Sequence, residues 1–243
     1  MKLTFLGTRG YIDARTPRHN MHTSTLVSYH DTNIMIDCGE DWLDKIHEMT
    51  PHAIFITHGH PDHAWGLRNG SPASVYATEE TWEENMKGFE IPGDFRHVLR
   101  LREPVEVGGI SFEPFSVVHS TRAPSVGYRI TAGEVAIFYV PDLVYIHERQ
   151  AALKGAKVYV GDGATITRSM VRKPGDQLIG HTPIRTQLTW CQKEGVPKMI
   201  VTHCGSEIVE GDERKIETKI RSLAEERGVE VEVAYDGMEA VLR

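Results

Sequence analysis

Between Thr57 and His63 the chain reads Thr-His-Gly-His-Pro-Asp-His, directly behind the apolar run 53–56. A short, nearly continuous apolar run suits a strand buried on both faces. Any fold adopted here must therefore deliver three imidazoles and a carboxylate from the end of a buried strand. His58 and His60 are two positions apart, so an extended backbone points both to one side. Asp62 and His63 are adjacent and must diverge. A bend through Gly59 and Pro61, closed by Gly66, lets the first pair hold one metal ion and the second pair another. Neutral imidazole and carboxylate suit zinc, manganese or iron. The bland alternative is an exposed loop that happens to be rich in histidine. The strand in front of it and the ligand spacing favour metal.

A binuclear centre needs further donors. Three residues share one context, a polar ligand at the C-terminal end of an apolar strand. His119 follows 115–118, Asp142 follows 136–141, and His203 follows 199–202. Strand ends are where a sheet scaffold presents site residues on loops. Each alone also reads as a solvated loop residue; the cluster makes ligation the better reading. The two oxygens of Asp142 suit it to bridge two cations. Asp162, behind another strand, competes for that role.

Composition narrows the function classes. The 243 residues are 40% hydrophobic and 25% charged, a balance that supports a core and argues against disorder. A net charge of -7 argues against a broad polyanion-binding surface. Three scattered cysteines, Cys38, Cys191 and Cys204, fit a reducing compartment and give no zinc-finger spacing. No apolar run reaches membrane-helix length. The N-terminus lacks the marks of a signal peptide, so the expected compartment is the cytoplasm. No linker or internal repeat is visible, and residues 1–243 are expected to form one domain.

Strands are expected at 3–6, 53–57, 111–113, 125–130, 135–140, 157–160, 198–202 and 229–233, with a hairpin over 24–37. Charge placement suggests a helix over 78–87. Thr182 reads as an N-cap, with Pro183 opening a helix that Gly195 and Pro197 stop. Ile184, Leu188 and Cys191 share one face of it. A last helix over 212–227 carries the stripe Ile216, Ile220 and Leu223.

The 57–63 cluster resembles the signature of the metallo-β-lactamase-fold hydrolases. Within that family the chain resembles the phosphodiesterase branch, which includes RNase Z and the cyclic phosphodiesterase of phosphonate breakdown. The motifs run almost end to end: Phe5-Leu6-Gly7-Thr8, Ile36-Asp37-Cys38-Gly39-Glu40, Val118-His119-Ser120 with Gly127-Tyr128, Tyr139-Val140-Pro141-Asp142, Gly180-His181-Thr182, Ile200-Val201-Thr202-His203 and Tyr235-Asp236-Gly237-Met238. The resemblance implies an α+β fold, the αββα sandwich of two facing mixed sheets with helices outside. It implies two divalent metal ions per chain, zinc first, with manganese or iron as alternatives. His58, His60 and His119 would hold one; Asp62, His63 and His203 the other; Asp142 would bridge. The implied reaction is metal-dependent hydrolysis of a small or cyclic phosphodiester, or of an RNA end, by water activated between two cations. A homodimer is expected from the resemblance and from the frequency of twofold dimers. The long Gly/Pro-rich arm of RNase Z is absent, as is the Cys-rich zinc site of the phosphonate enzyme.

Asp62 and His181 are the catalytic candidates. His181 precedes a helix start, where an anion is favoured, and is placed to bind the phosphate or protonate the leaving oxygen. Ser120 is a second substrate contact. Asp37 either orients a ligating histidine or caps a turn. His19 and His22 either line the mouth of the site or belong to a solvated loop, and Arg122 reads as surface. Cys204 reads as a small neighbour of His203, and Trp42, Trp65 and Trp82 as packing. The same scaffold also serves thioesterases, lactonases and β-lactamases, whose substrates need no phosphate contact at His181. An iron-binding redox protein is a further alternative.

Overall fold

The computed structural model describes all 243 residues. The first half builds one sheet from β1 (Lys2–Gly7), β2 (Ser24–Tyr29), β3 (Thr32–Ile36), β4 (Ala53–Phe55), β5 (Ser74–Thr78) and β6 (Arg96–Leu99). β1, β2 and β3 form an antiparallel meander; β3 to β6 run parallel. The second half repeats that plan. β7 (Val105–Val107) pairs with β8 (Ile110–Val118), which leads through β9 (Ser125–Ala132) to β10 (Val135–Tyr139) as a meander. β11 (Tyr145–Ile146) lies on the outer edge of β8. β12 (Val158–Asp162), β13 (Lys198–Thr202) and β14 (Glu230–Val233) then continue parallel from β10. β15 (Glu239–Val241) returns to pair with β1 and closes the first sheet. The repeat of topology left no repeat of sequence, because a meander followed by parallel strands needs only pattern, not identity.

The inner faces meet in a dry core that includes Phe5, Ile34, Phe55, Phe112, Tyr128, Ile137 and Ile200. Fully burying such side chains stabilises by about 1.5–3 kcal/mol each before entropy is counted. The helices lie outside. α1 (Pro61–Ala64) belongs to the first half. α2 (Arg149–Leu153), α3 (Ile184–Glu194), α4 (Ser206–Val209) and α5 (Glu213–Glu225) belong to the second. Leu153, Leu188, Cys191 and Ile220 join Phe138, Tyr159 and Met199 in a second core on the outer face of that sheet. The α+β sandwich expected from the resemblance is the observed fold. No helix is long and apolar enough to cross a membrane.

Two local expectations are corrected. Residues 78–87 do not form a regular helix. Their centre is one π-type turn, Thr81–Asn85, in which the Met86 amide reaches back to Thr81 O. The wider turn tucks Trp82 and Met86 against the first sheet and brings Asn85 against the histidine loop. A Cβ at Gly59 would lie 2.1 Å from Asn85 Cβ, so only glycine admits this approach. Thr182 is likewise not the cap of α3. Pro183 occupies the cap position, and the Thr182 hydroxyl donates to Val144 O at 2.6 Å. A buried hydroxyl takes the carbonyl that the fold leaves open in place of a helix amide. α3 does end at Gly195, in the left-handed conformation with φ 71°. α5 is capped by Asp212, whose carboxylate accepts from the Lys215 amide.

Candidate metal centre

The metal-ligand candidates sit where strands end. The histidine loop follows β4, His119 follows β8, Asp142 follows β10, Asp162 ends β12 and His203 follows β13. Crevices beyond the carboxyl ends of strands are the usual ligand sites of parallel sheets. His203 has φ 52°, and Asp37, behind β3, has φ 60°, both in the left-handed region. Side chains with a Cβ adopt this region at a cost of about 1–2 kcal/mol. At His203 the left-handed turn aims the ring back into the crevice, and Gly10 packs against that ring (a Cβ there would lie 3.0 Å from it).

His58 Nε2 lies 3.0 Å from His60 Nδ1, and His119 Nε2 lies 3.2 Å from the same atom. Three ring nitrogens therefore converge on one point. Asp62 Oδ2 lies 3.3 Å from His63 Nε2 and 3.2 Å from His203 Nε2. Asp142 Oδ2 stands between the two groups, 3.7 Å from His58 Nε2, 3.9 Å from His63 Nε2 and 3.6 Å from His203 Nε2. The ligand atoms of His58, His60, His119 and Asp142 lie within 4.8 Å of one another, as do those of Asp62, His63 and His203. The seven sequence-derived ligand candidates are thus brought together, with Asp142 central. Asp162 reaches only the His203 side.

The opposite ring nitrogens are fixed from behind. His63 Nδ1 donates to Asp37 Oδ2 at 2.8 Å. The Thr57 hydroxyl, 3.1 Å from His58 Nδ1, donates to the same Asp37 carboxylate. Asp37 also accepts from the Thr57 amide at 2.7 Å, so it both caps the turn and orients the histidines. His119 Nδ1 donates to Gly180 O at 3.2 Å. Such partners fix the tautomer and turn the free lone pair inward.

These groups are suited to cations. His63 Nε2 and His203 Nδ1 are buried without a hydrogen-bond partner. Each would cost about 1–3 kcal/mol if left unsatisfied. A compact set of imidazoles and carboxylates with such orphans fits divalent metal ions. The electrostatics agree. Burial works against the Asp62 and Asp142 carboxylates, yet His63 at Asp62, and His119 and His181 at Asp142, hold both well below the usual range. Burial and the neighbouring imidazoles push His58 well down, and His60 to about 4, leaving lone pairs free. Burial also opposes charge on His63 and His203, but the carboxylates around them raise both, His203 to about 9. Positive charge is thus drawn to the space between the carboxylates, which a proton or a metal ion can supply.

His181 stands beside this cluster. Its Nδ1 donates to Asp162 Oδ2 at 2.9 Å and lies 2.9 Å from Asp142 Oδ1. Burial is outweighed by these carboxylates, which push it up to about 11. Asp162 is itself held by Gln187, whose role the sequence did not reveal. The buried Gln187 amide accepts from the Asp162 amide and donates to Asp162 O and Thr182 O. A glutamine in an apolar helix stripe was the available signal. His181, Ser120, His60 and Asp142 line one cavity of about 900 Å³. Arg122 is outside it and exposed. His19 and His22 are neither at its mouth nor on a solvated loop: both are buried, His19 against Thr8 and His22 against Asp41. Trp42 and Trp82 pack in the core, and Cys204 is buried beside His203.

The architecture and the His/Asp centre define a metal-dependent hydrolase of the metallo-β-lactamase fold. The beta-lactamase superfamily domain matches residues 32–204, and the chain belongs to that superfamily. Among solved structures it is similar to the metallo-beta-lactamase fold protein YhfI from Bacillus subtilis, at 17% identity and TM-score 0.74 over 98% of both chains. A new diphosphatase from the PhnP family shows 19% identity and TM-score 0.70, over 100% of this chain and 98% of that one. Human tRNase Z, short form, shows 16% identity and TM-score 0.66 over 100% of both. No curated protein matches the sequence.

Proposed function

We propose that residues 1–243 form one domain that is a binuclear, metal-dependent phosphodiesterase acting on a small or cyclic phosphodiester or an RNA end. The observation that carries this reading is the meeting of two ligand groups at Asp142, with His181 held beside them. His58, His60 and His119 would hold one cation, Asp62, His63 and His203 the other, with Asp142 shared. Zinc suits the donor set best, with manganese or iron as alternatives. Bound there, the cations supply Lewis acidity toward a phosphoryl oxygen and a nucleophile at neutral pH.

The chain's own residues supply the rest. With His181 Nδ1 engaged by Asp162, its Nε2 is the nitrogen left for substrate. There it contacts a phosphoryl oxygen or hands a proton to the leaving oxygen. Asp162 stabilises the ring when it carries charge. Asp62 fixes the two imidazoles of its group as well as ligating. Ser120, on the cavity wall, presents its hydroxyl to the substrate. The fold resemblance to a PhnP-family diphosphatase and to tRNase Z supports a phosphoester substrate. We place the protein in the cytoplasm, as a homodimer.

The test is nitrophenolate release from bis(p-nitrophenyl) phosphate by zinc-, manganese- or iron-loaded protein. Turnover that depends on metal and disappears in Asp62→Ala and falls in His181→Ala is the expected result. A loaded protein that leaves this ester intact but cleaves a thioester or lactone overturns the phosphodiesterase reading.

A further inference from the structure

A second cavity lies between the 16–19 loop and the helices α4 and α5. Its volume is about 340 Å³, and it shares no lining residue with the metal cavity. Ile208, Val209, Ile216 and Val233 give it apolar walls. Arg18 and Glu213 also line it and pair with each other at 3.1 Å.

One polar group of the lining is built in rather than solvated. His19 is only 6% exposed. Its Nδ1 lies 2.8 Å from the Thr8 hydroxyl, which donates to Asp236 Oδ1 at 2.7 Å. A hydroxyl has one proton to give, so towards the ring it accepts, and the proton of the neutral imidazole sits on Nδ1. The other oxygen of Asp236 accepts from the Asn20 and Met21 amides at 2.8 Å each, which anchors the arrangement. Burial, more than Asp236 offsets and with Arg18 adding to it, holds His19 below its ordinary value, so the ring is neutral. Nε2 then carries a lone pair. It makes no hydrogen bond within the protein, yet it is not sealed in. The cavity is where this nitrogen opens. Small-molecule sites have this form, apolar walls with a few fixed polar groups, and the volume lies at the lower end of their range. A purely apolar guest would leave the acceptor unsatisfied, whereas a guest with one donor would not.

We propose that this cavity is a binding site for a small, neutral, apolar ring compound carrying one N–H or O–H donor, which His19 Nε2 accepts. The site is independent of the metal centre and of the reaction performed there.

Nuclear magnetic resonance titration of the zinc-loaded full chain tests it, with indole and with benzofuran, its isostere without the N–H. Both should shift the amides of residues 16–19 and 208–217, and indole should bind tighter by about three- to tenfold, the worth of one hydrogen bond. The His19 Nε2 resonance should move with indole and stay with benzofuran. His19→Phe should level the two affinities, and Ile216→Trp, which fills the chamber, should weaken both. No shift at these amides with either compound overturns the proposal. So do equal affinities, a preference that His19→Phe keeps, or an Nε2 resonance indifferent to indole. Glu217 also lines the cavity, so tryptamine is the third probe. Tryptamine binding that is tighter than that of indole and unaffected by His19→Phe would assign the cavity to cations at Glu217 and overturn the neutral-donor reading.

Discussion

Asp162 Oδ2 accepts from His181 Nδ1 at 2.9 Å, and this contact decides which nitrogen of the ring is left to face the cavity. Asp162→Asn keeps the size of the side chain. It removes the negative charge that favours imidazolium, and its amide can present a donor where the ring needs an acceptor. Turnover of a phosphodiester should fall by about 10–100-fold, the range for loss of such a supporting partner. Zinc content should stay near that of the parent, because Asp162 lies outside the two main ligand groups. A parallel loss of zinc would assign Asp162 to the metal instead.

Gln187 lies one step further out. Its amide carries hydrogen bonds to the Asp162 amide, Asp162 O, Thr182 O and the Tyr159 hydroxyl, all in the dry layer under α3. Gln187→Leu fills the space and strands these groups. At about 1–3 kcal/mol for each buried group left unsatisfied, the loss should reach roughly 3 kcal/mol or more. Urea unfolding of the metal-free protein reads it. A variant as stable as the parent would mean that water replaces the amide.

How much of this was legible in the chain follows from what each feature requires. The convergence of His58, Asp142 and His203 was readable because each follows an apolar strand, and the ends of facing sheets meet at one edge; the choice of Asp142 over Asp162 as the shared residue came through the resemblance. The αββα layers came through the resemblance, since period-two patterns do not say which sheet a strand joins. The expected helix at 78–87 failed because Trp82 and Met86 had to pack inward while Asn85 met Gly59. Tertiary demand there overrode charge placement. His19 and His22 were misjudged because the loop that holds them is fastened by distant residues, Asp41 and Asp236. Gln187 is defined by what surrounds it, and sequence does not display surroundings.

Asp37 joins both ligand groups, touching His63 directly and reaching His58 through Thr57. Asp37→Ala frees both rings and leaves the Thr57 amide without its acceptor. Zinc affinity, read by competition with a chromophoric chelator, should weaken by about 10–100-fold. Thr57→Val cuts only the His58 arm and should cost less. Equal losses in the two variants would show that His63 needs no orientation from Asp37.

His22 gives the protein an acid-sensitive point outside the ligand groups. Burial, helped by the Arg9 guanidinium and only partly opposed by Asp41, pushes His22 down to about 4. In the unfolded chain an imidazole titrates near its ordinary value of about 6.5. Between those values the unfolded chain takes up a proton that the native protein refuses. Stability from this group is therefore full above pH 6.5 and declines as pH falls towards 4. His19, His58 and His60, also held down, add to the same slope, whereas the raised His63, His181 and His203 place theirs at higher pH, so the difference between parent and variant is the informative quantity. Urea midpoints of chelator-treated protein at neutral and acid pH should drop less in His22→Gln than in the parent. The glutamine variant starts lower at neutral pH, because it packs less well against Asp41 and Tyr11, but its line should be flatter. Parallel lines would mean that the native protein accepts a proton at His22 without cost, and that Asp41 has moved to meet it.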